Sequence, residues 1–484
     1  MIRTHEVANH TVEKDVLPSP SDRCPIPSKI LLTSTRYTDT LMFPACHTSR
    51  VPRLFWFIQG KEIFQNARNY IQRAPLSTTT FRMSYGVPKS KSNSQTNGTN
   101  GHAPELSLGE VKELPSGQIL HNAWTEPGPN AYDFHSDTIT TPTKSMLDAI
   151  GKCTLLDDVY TGDPTTQALE SYLAELSGHE AGLLVMSGTM GNQVAIRSHL
   201  MAPPHTVLCD YRAHIANYEA GGISALSGAQ LITVYPTNKH HLTLEDVKKH
   251  CIINDDVHAA PTQVISLENT LGGLIMPLDE VKRIAQFAHE NDIRLHLDGA
   301  RIWEAVAAGA GSMTEYCSAF DSVSMCLSKG LGAPIGSVLV GSKQFIKQAK
   351  RIRKMMGGGT RQAGIISAAG RVAVEEGFGS GPWGEGGRLK ACHEKAARIG
   401  RGWEEKGGKL VWPVETNMIW LDLEGSGVDP AELTKVADEE GVTLHSGRIV
   451  IHFQIADKAI DGLEKALTRV LEGKRDRVTT GNAA

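Results

Sequence analysis

Two short segments carry residues whose types and spacing suit covalent chemistry on an aldehyde. His296-Leu297-Asp298-Gly299-Ala300-Arg301 closes one apolar, strand-like run, and Ser328-Lys329-Gly330 closes another, Val323–Leu327, about thirty residues later. Ligands of open α/β sheets bind at the carboxyl ends of strands. A lysine that emerges there beside glycine can form a Schiff base with an aldehyde. A carboxylate at a nearby strand end can keep a pyridine nitrogen protonated, so that the ring becomes an electron sink. That division of labour is what pyridoxal 5′-phosphate (PLP) requires. Either residue alone reads better as a solvated or ion-paired side chain; the ordered pair is what points to PLP.

A phosphate needs its own cradle. Ser187-Gly188-Thr189-Met190-Gly191-Asn192 follows the apolar run Gly182–Met186 and opens a helical pattern. Glycines free backbone N–H groups there, and a helix N-terminus favours an anion. Gly188 and Thr189 are the candidate contacts, although a capped helix start is an equal alternative. The spacing matches neither the dinucleotide loop nor the P-loop. Arg351, Arg353, Lys354 and Arg361 flank Gly357-Gly358-Gly359. This predicts a flexible cationic loop able to touch an anion, or else a solvated helix face.

The elements that would position these residues begin near Asp133. Strands are predicted at 182–186, 207–209, 231–234, 264–267, 294–297, 322–327 and 337–340. Helices are predicted at 165–177, 189–200, 243–250, 278–290, 301–308, 343–355 and 361–376. This alternation predicts an α/β fold with a mostly parallel central sheet. After the Gly-rich break at 377–387, the pattern is helix 388–405, strand 417–423, helix 430–440, strand 448–454 and helix 457–472, a smaller α+β domain. The expected division is a leader and linker over 1–103, a lead-in over 104–135, a large PLP-binding domain over 136–385, a small domain over 386–476, and a tail over 477–484. The leader combines basic residues with Ser77, Thr78, Thr79 and Thr80, as a mitochondrial targeting segment would. Glu6, Glu13, Asp15 and Asp22 argue against that, and Met83 offers an alternative start. The cytoplasm is therefore the expected compartment, with the mitochondrion as alternative.

Composition narrows the partners. A net charge of −4 over 484 residues gives no reason to expect nucleic acid or an anionic membrane as partner. No apolar run approaches the ~18 residues of a membrane span. Eight scattered cysteines without a C-x-x-C pair predict reduced thiols, without zinc or disulfides. A small molecule is the expected partner, and no metal site is expected.

Taken together, these segments resemble the low-specificity L-threonine aldolases, PLP-dependent members of the β-eliminating lyases with the aspartate-aminotransferase-like fold (fold type I). The resemblance runs from about Phe134 to Leu471. It rests on Ser136-Asp137-Thr138, Asp157–Tyr160 with Asp163-Pro164-Thr165, Ser187–Asn192, His214 with Glu219–Gly222, Glu268-Asn269-Thr270, Leu297–Arg301, Cys326–Ser337, Gly357–Gln362 and Arg448–His452. The resemblance implies Lys329 as the Schiff-base lysine, Asp298 as the pyridinium partner and His214 stacked on the ring. Gly188 and Thr189 would bind the phosphate, and Lys354 and Arg361 would reach the phosphate of a neighbouring subunit. Ser136, Arg301 and Arg448 would position the substrate, with Arg448 the main carboxylate contact; Arg301 would lie close to the cofactor as well. It further implies a homotetramer, a dimer of dimers with shared active sites. The activity implied is cleavage of L-threonine or L-allo-threonine to glycine and acetaldehyde. A serine hydroxymethyltransferase-like enzyme, another β-eliminating lyase and a silent scaffold remain as rivals. The sequence departs from the family in two places. Leu271-Gly272 stands where many members carry His-Asn, which leaves the hydroxyl contact and its base open between His214 and water. His135 stands where arginine is common.

Overall fold

The computed structural model describes residues 127–481; the expected leader and linker over 1–103 lie outside them. Seven strands form one sheet: β1 (Ala181–Val185), β2 (Thr206–Asp210), β3 (Gln230–Val234), β4 (Thr262–Glu268), β5 (Arg294–Gly299), β6 (Ser322–Cys326) and β7 (Ser337–Gly341). Their order is β1-β7-β6-β5-β4-β2-β3. β7 runs antiparallel to both β1 and β6, and all other neighbours are parallel. Each lies where the apolar runs predict it. β2, β6 and β7 are buried along their whole length, their polar members Thr206, Ser322, Ser324 and Ser337 included.

Helices cover the sheet. Asp163 caps α1 (Pro164–Ser177), accepting from the Thr166 N–H, with Pro164 as first helical residue. Ser187 caps α2 (Gly188–His199), accepting from the Met190 N–H at 3.1 Å. α2 lies so close to β6 that a Cβ on Gly191 would stand 2.2 Å from Ser324 Oγ. α3 (Leu278–Glu290) and α4 (Lys343–Met355) follow the predicted bounds closely.

The predicted helix 361–376 is displaced. α5 spans Gly364–Ala373 and runs into a wider turn at Val374–Phe378. Arg361 sits in the loop before α5, its carbonyl accepting from the Asp158 N–H at 2.9 Å. The Gly357–Gly359 segment forms an ordered turn. Gly357 takes φ +81°, the Gly358 N–H returns to the Arg353 carbonyl at 2.8 Å, and a Cβ on Gly358 would meet Met190 Sδ of α2 at 2.6 Å. The three glycines permit that close seating on α2 rather than mobility.

Towards the C-terminus come α6 (Leu389–Glu405), β8 (Met418–Trp420), α7 (Pro430–Glu439), β9 (Arg448–Val450) and α8 (Asp457–Gly481). β8 and β9 pair antiparallel and are shorter than predicted. Asp422 ends the first strand by capping a short helix, accepting from the Gly425 N–H at 2.7 Å. Trp403, Ile419, Ile449 and Leu463 form a second core, separate from the one under the sheet, and Phe134 is buried in it. The Val450 N–H donates to the Phe134 carbonyl at 2.9 Å. That anchor carries the following residues, Ser136–Thr138, to the carboxyl ends of the strands.

Candidate active site

The carboxyl ends of β4, β5 and β6 place three groups side by side. Glu268, last in β4, pairs in register with Asp298 of β5, which pairs with Ser324 of β6. Lys329 follows β6. A cleft of about 600 Å³ opens here, lined by Lys329, His214, Glu268, Arg301, Arg448 and Thr138 among others.

Asp298 is buried and held from two sides. Its Oδ2 accepts from Asn192 Nδ2 of α2 at 2.7 Å, and its Oδ1 from the Ala300 N–H at 3.0 Å. Asn192 Nδ2 also donates to Glu219 Oε1 at 2.9 Å. The amide is oriented from behind by His296 Nε2, 3.1 Å from Asn192 Oδ1. Burial and the neighbouring His199 push His296 down to about 3, so the ring is neutral and donates from Nε2. Glu219, buried and also bound by Gln193 Nε2 at 2.5 Å, accepts from His214 Nδ1 at 2.8 Å. That bond, working against partial burial, raises the His214 pKa above its usual value. It also fixes the proton on Nδ1 and leaves Nε2 for proton exchange in the cleft. The His214 N–H donates to Glu268 Oε2 at 2.8 Å. The facing atoms of His214, Glu219 and Asp298 lie within 4.8 Å of one another.

Three guanidinium groups reach the cleft, and two are already occupied. Arg301 clasps Asp137 through Nε (2.8 Å) and Nη2 (2.6 Å). Burial alone would raise Asp137, yet this fork holds its carboxyl at about 2. Arg212 clasps Asp210 in the same way, at 3.0 and 2.8 Å. Arg448 donates to the His135 carbonyl at 2.9 Å and, weakly, to Met418 Sδ at 3.9 Å, and has no carboxylate partner among the described residues. Ser136 is buried against Thr138, their hydroxyls 2.9 Å apart, and it is Thr138 that faces the cleft.

Gly188 and Thr189 form the first turn of α2, and their N–H groups have no partner among the described residues. Lys354 and Arg361 do not line this chain's cleft. Arg361 is 59% exposed and pairs with Asp157 at 2.8 Å, and Lys354 is exposed. Sequence reasoning passed over the clamp made by Asn192 and Glu219, although both lie in quoted motifs. It missed the Arg301–Asp137 pair and an aromatic wall of Tyr211, Tyr218, Trp412 and Trp420. Trp420 Nε1 donates to the Gly272 carbonyl at 2.8 Å and meets Trp412 edge-on at 5.3 Å. No local pattern marks residues that converge from such distant positions. Leu271 lines the cleft where a histidine contact is usual in the resembled family.

The set fits the parts of PLP: a lysine for the aldehyde, a buried carboxylate for the ring nitrogen, and a helix start with unpaired N–H groups for the phosphate. Residues 133–426 match the family described as beta-eliminating lyase, and the chain belongs to that family of PLP-dependent enzymes. Within it, the chain is 52% identical over 348 residues to aldolase vrtJ of Penicillium aethiopicum, covering 72% of this chain and 88% of that protein. It is 45% identical to a low-specificity L-threonine aldolase of Eremothecium gossypii, covering 71% and 90%. A protein named alanine racemase TOXG, of Cochliobolus carbonum, is also 45% identical, covering 76% and 94%. The fold matches a solved Leishmania major threonine aldolase with a TM-score of 0.58 at 18% identity, covering 70% of this chain and 99% of that one.

Proposed function

We propose that the protein is a PLP-dependent aldehyde-lyase that cleaves L-threonine and L-allo-threonine to glycine and acetaldehyde. The observation that carries this reading is the pairing, in one cleft, of Lys329 with Arg448, the cleft guanidinium without a carboxylate partner. Bound at Lys329, PLP would supply an electron sink for breaking the bond between Cα and Cβ. Asp298, locked by Asn192, would hold the ring nitrogen protonated, and Gly188 and Thr189 would receive the phosphate. Arg448 would grip the substrate carboxylate with its planar fork. Arg301 would shape the site through Asp137 rather than bind substrate directly. His214, with its proton held on Nδ1 by Glu219, would present Nε2 as base for the β-hydroxyl.

Shared active sites in an oligomer belong to the same proposal. Leu155, Leu156, Tyr160, Met355 and Ile365 are 46–84% exposed around Arg361, which stacks over Tyr160 at 5.8 Å. An apolar patch of this kind around two exposed cations, Lys354 and the Asp157-paired Arg361, suits a second copy of the chain, whose phosphate site they would complete. Among the described residues, no helix is long and apolar enough to cross a membrane.

The test is turnover of both threonine diastereomers, followed as acetaldehyde and glycine, with and without folate. Folate-independent acetaldehyde supports the reading, and an absolute folate requirement replaces it with hydroxymethyl transfer. L-Alanine belongs in the same assay, because one relative is named a racemase: loss of its optical activity without acetaldehyde from threonine would overturn the aldolase reading.

A further inference from the structure

Glu268 has no part in the scheme above, yet it occupies a position where only a group with a task is readily explained. It ends β4 beside Asp298, lines the cleft with Lys329, and spends one oxygen on the His214 N–H. No protein group donates to its other oxygen among the described residues. Beside Glu268 lies a small, partly open void of about 20 Å³, also lined by Asp210, His240, His241 and Leu271. A void of that size with several polar walls has room for one water. His241 borders it, with Nε2 lying 3.4 Å from the exposed Asn238 Nδ2. Its Nδ1 lies 2.9 Å from His240 Nδ1, and His240 Nε2 lies 2.8 Å from Glu415 Oε1. His240 and Glu415 are 24% and 26% exposed, so this chain of groups ends in solvent.

We propose that Glu268 is a catalytic acid of the cleft that delivers the proton to Cα and is reprotonated from solvent through the void bordered by His240 and His241. The proposal rests on the aldolase reading for its substrate. The step balances as follows. The Cα–Cβ bond breaks, the hydroxyl proton leaves to His214, and the carbonyl of acetaldehyde forms. The electron pair left at Cα takes the Glu268 proton and becomes the new C–H bond of glycine. The Glu268 carboxylate takes a proton from the solvent side, and His214 releases its own to solvent.

The surroundings favour a protonated carboxyl at rest. Asp298 on β5 faces it directly and Asp210 on β2 borders the void, while Lys329 after β6 and the His214 ring oppose them from the cleft. Burial first, and then the Asp298 charge, lift Glu268 to about 8. Burial and the neighbouring His240 hold His241 below its usual value, in the neutral form that relays a proton. The histidine usual in the resembled family is replaced here by Leu271, which forms part of the wall between void and cleft.

Glu268→Gln, nearly isosteric and unable to titrate, is the test. In the PLP-loaded protein, exchange of the glycine Cα proton with D₂O, read by NMR, should fall at least about tenfold, while PLP affinity stays within about threefold. In the cofactor-free protein, the infrared carbonyl band of a protonated carboxyl should be present at pH 6, fade as the pH rises through 8, and be missing in Glu268→Gln. Wild-type exchange rates in the variant, or no such band in the wild type, would overturn the proposal. If the wild type exchanges glycine but does not cleave threonine, the aldolase reading fails and Glu268 keeps its role. If it cleaves threonine and Glu268→Gln exchanges normally, Glu268 alone is refuted.

Discussion

Arg448→Met separates the substrate anchor from the other cleft cations. Arg448 is the cleft guanidinium left without a carboxylate among the described residues, and its hydrogen bonds go to the His135 carbonyl and the Met418 sulfur. Burial, and then the nearby Arg301 charge, lower its pKa, so an incoming carboxylate relieves a cation that is poorly compensated in the free protein. A hydrogen bond to a charged partner is worth about 1.5–3 kcal/mol, so kcat/KM for threonine should fall roughly 10- to 150-fold. The fall should lie mainly in KM, with folding and PLP absorbance retained. Arg301→Met makes the contrast. It strands the buried Asp137 carboxylate, and breaking such a pair costs about 3–5 kcal/mol of stability. Steady-state kinetics beside urea denaturation read both effects. A threonine KM within about twofold of wild type in Arg448→Met, with a large rise in folded Arg301→Met, would refute the division of labour drawn here.

Other expectations follow from the same geometry. Asp137 is held at about 2 against an ordinary 3.8, so its contribution is complete above the ordinary value and is lost as pH falls through about 2. That contribution is roughly 2 kcal/mol, and Asp137→Asn should flatten the acid limb of a plot of denaturant midpoint against pH; an unchanged limb would contradict it. Arg361→Ala should weaken PLP binding roughly 10- to 100-fold and ease dissociation of the oligomer without cofactor, because a ligand bound across an interface stabilises the assembly. Unchanged affinity and sedimentation would reduce Arg361 to surface charge paired with Asp157.

The sheet was legible because its strands are short, mostly buried segments rich in Val, Leu and Ile, and two of them lead into chemically meaningful residues. Asp298 and Lys329 could be read from those ends. Arg301 could be placed near the site, but its partner could not: Asp137 is 164 positions away, and only folding shows that the fork is already filled. Arg361 was expected on a helix because its neighbours favour one, whereas the turn at Gly357–Gly359 docks on Met190 and delays α5 to Gly364. Asn192 and Glu219 were visible as motif letters without a role. Their role is a geometric one, since one amide must face two carboxylates while a neutral histidine holds it from behind.

The most direct test of the central claim is the comparison of wild type with Lys329→Ala, both purified with PLP. The wild type should be yellow, lose its visible absorbance on borohydride treatment, and release acetaldehyde and glycine from L-threonine in equal amounts. Lys329→Ala should retain the fold by circular dichroism, lack the borohydride-sensitive absorbance, and show almost no turnover. Wild-type rates in folded Lys329→Ala, or a wild type that binds no PLP, would contradict the account.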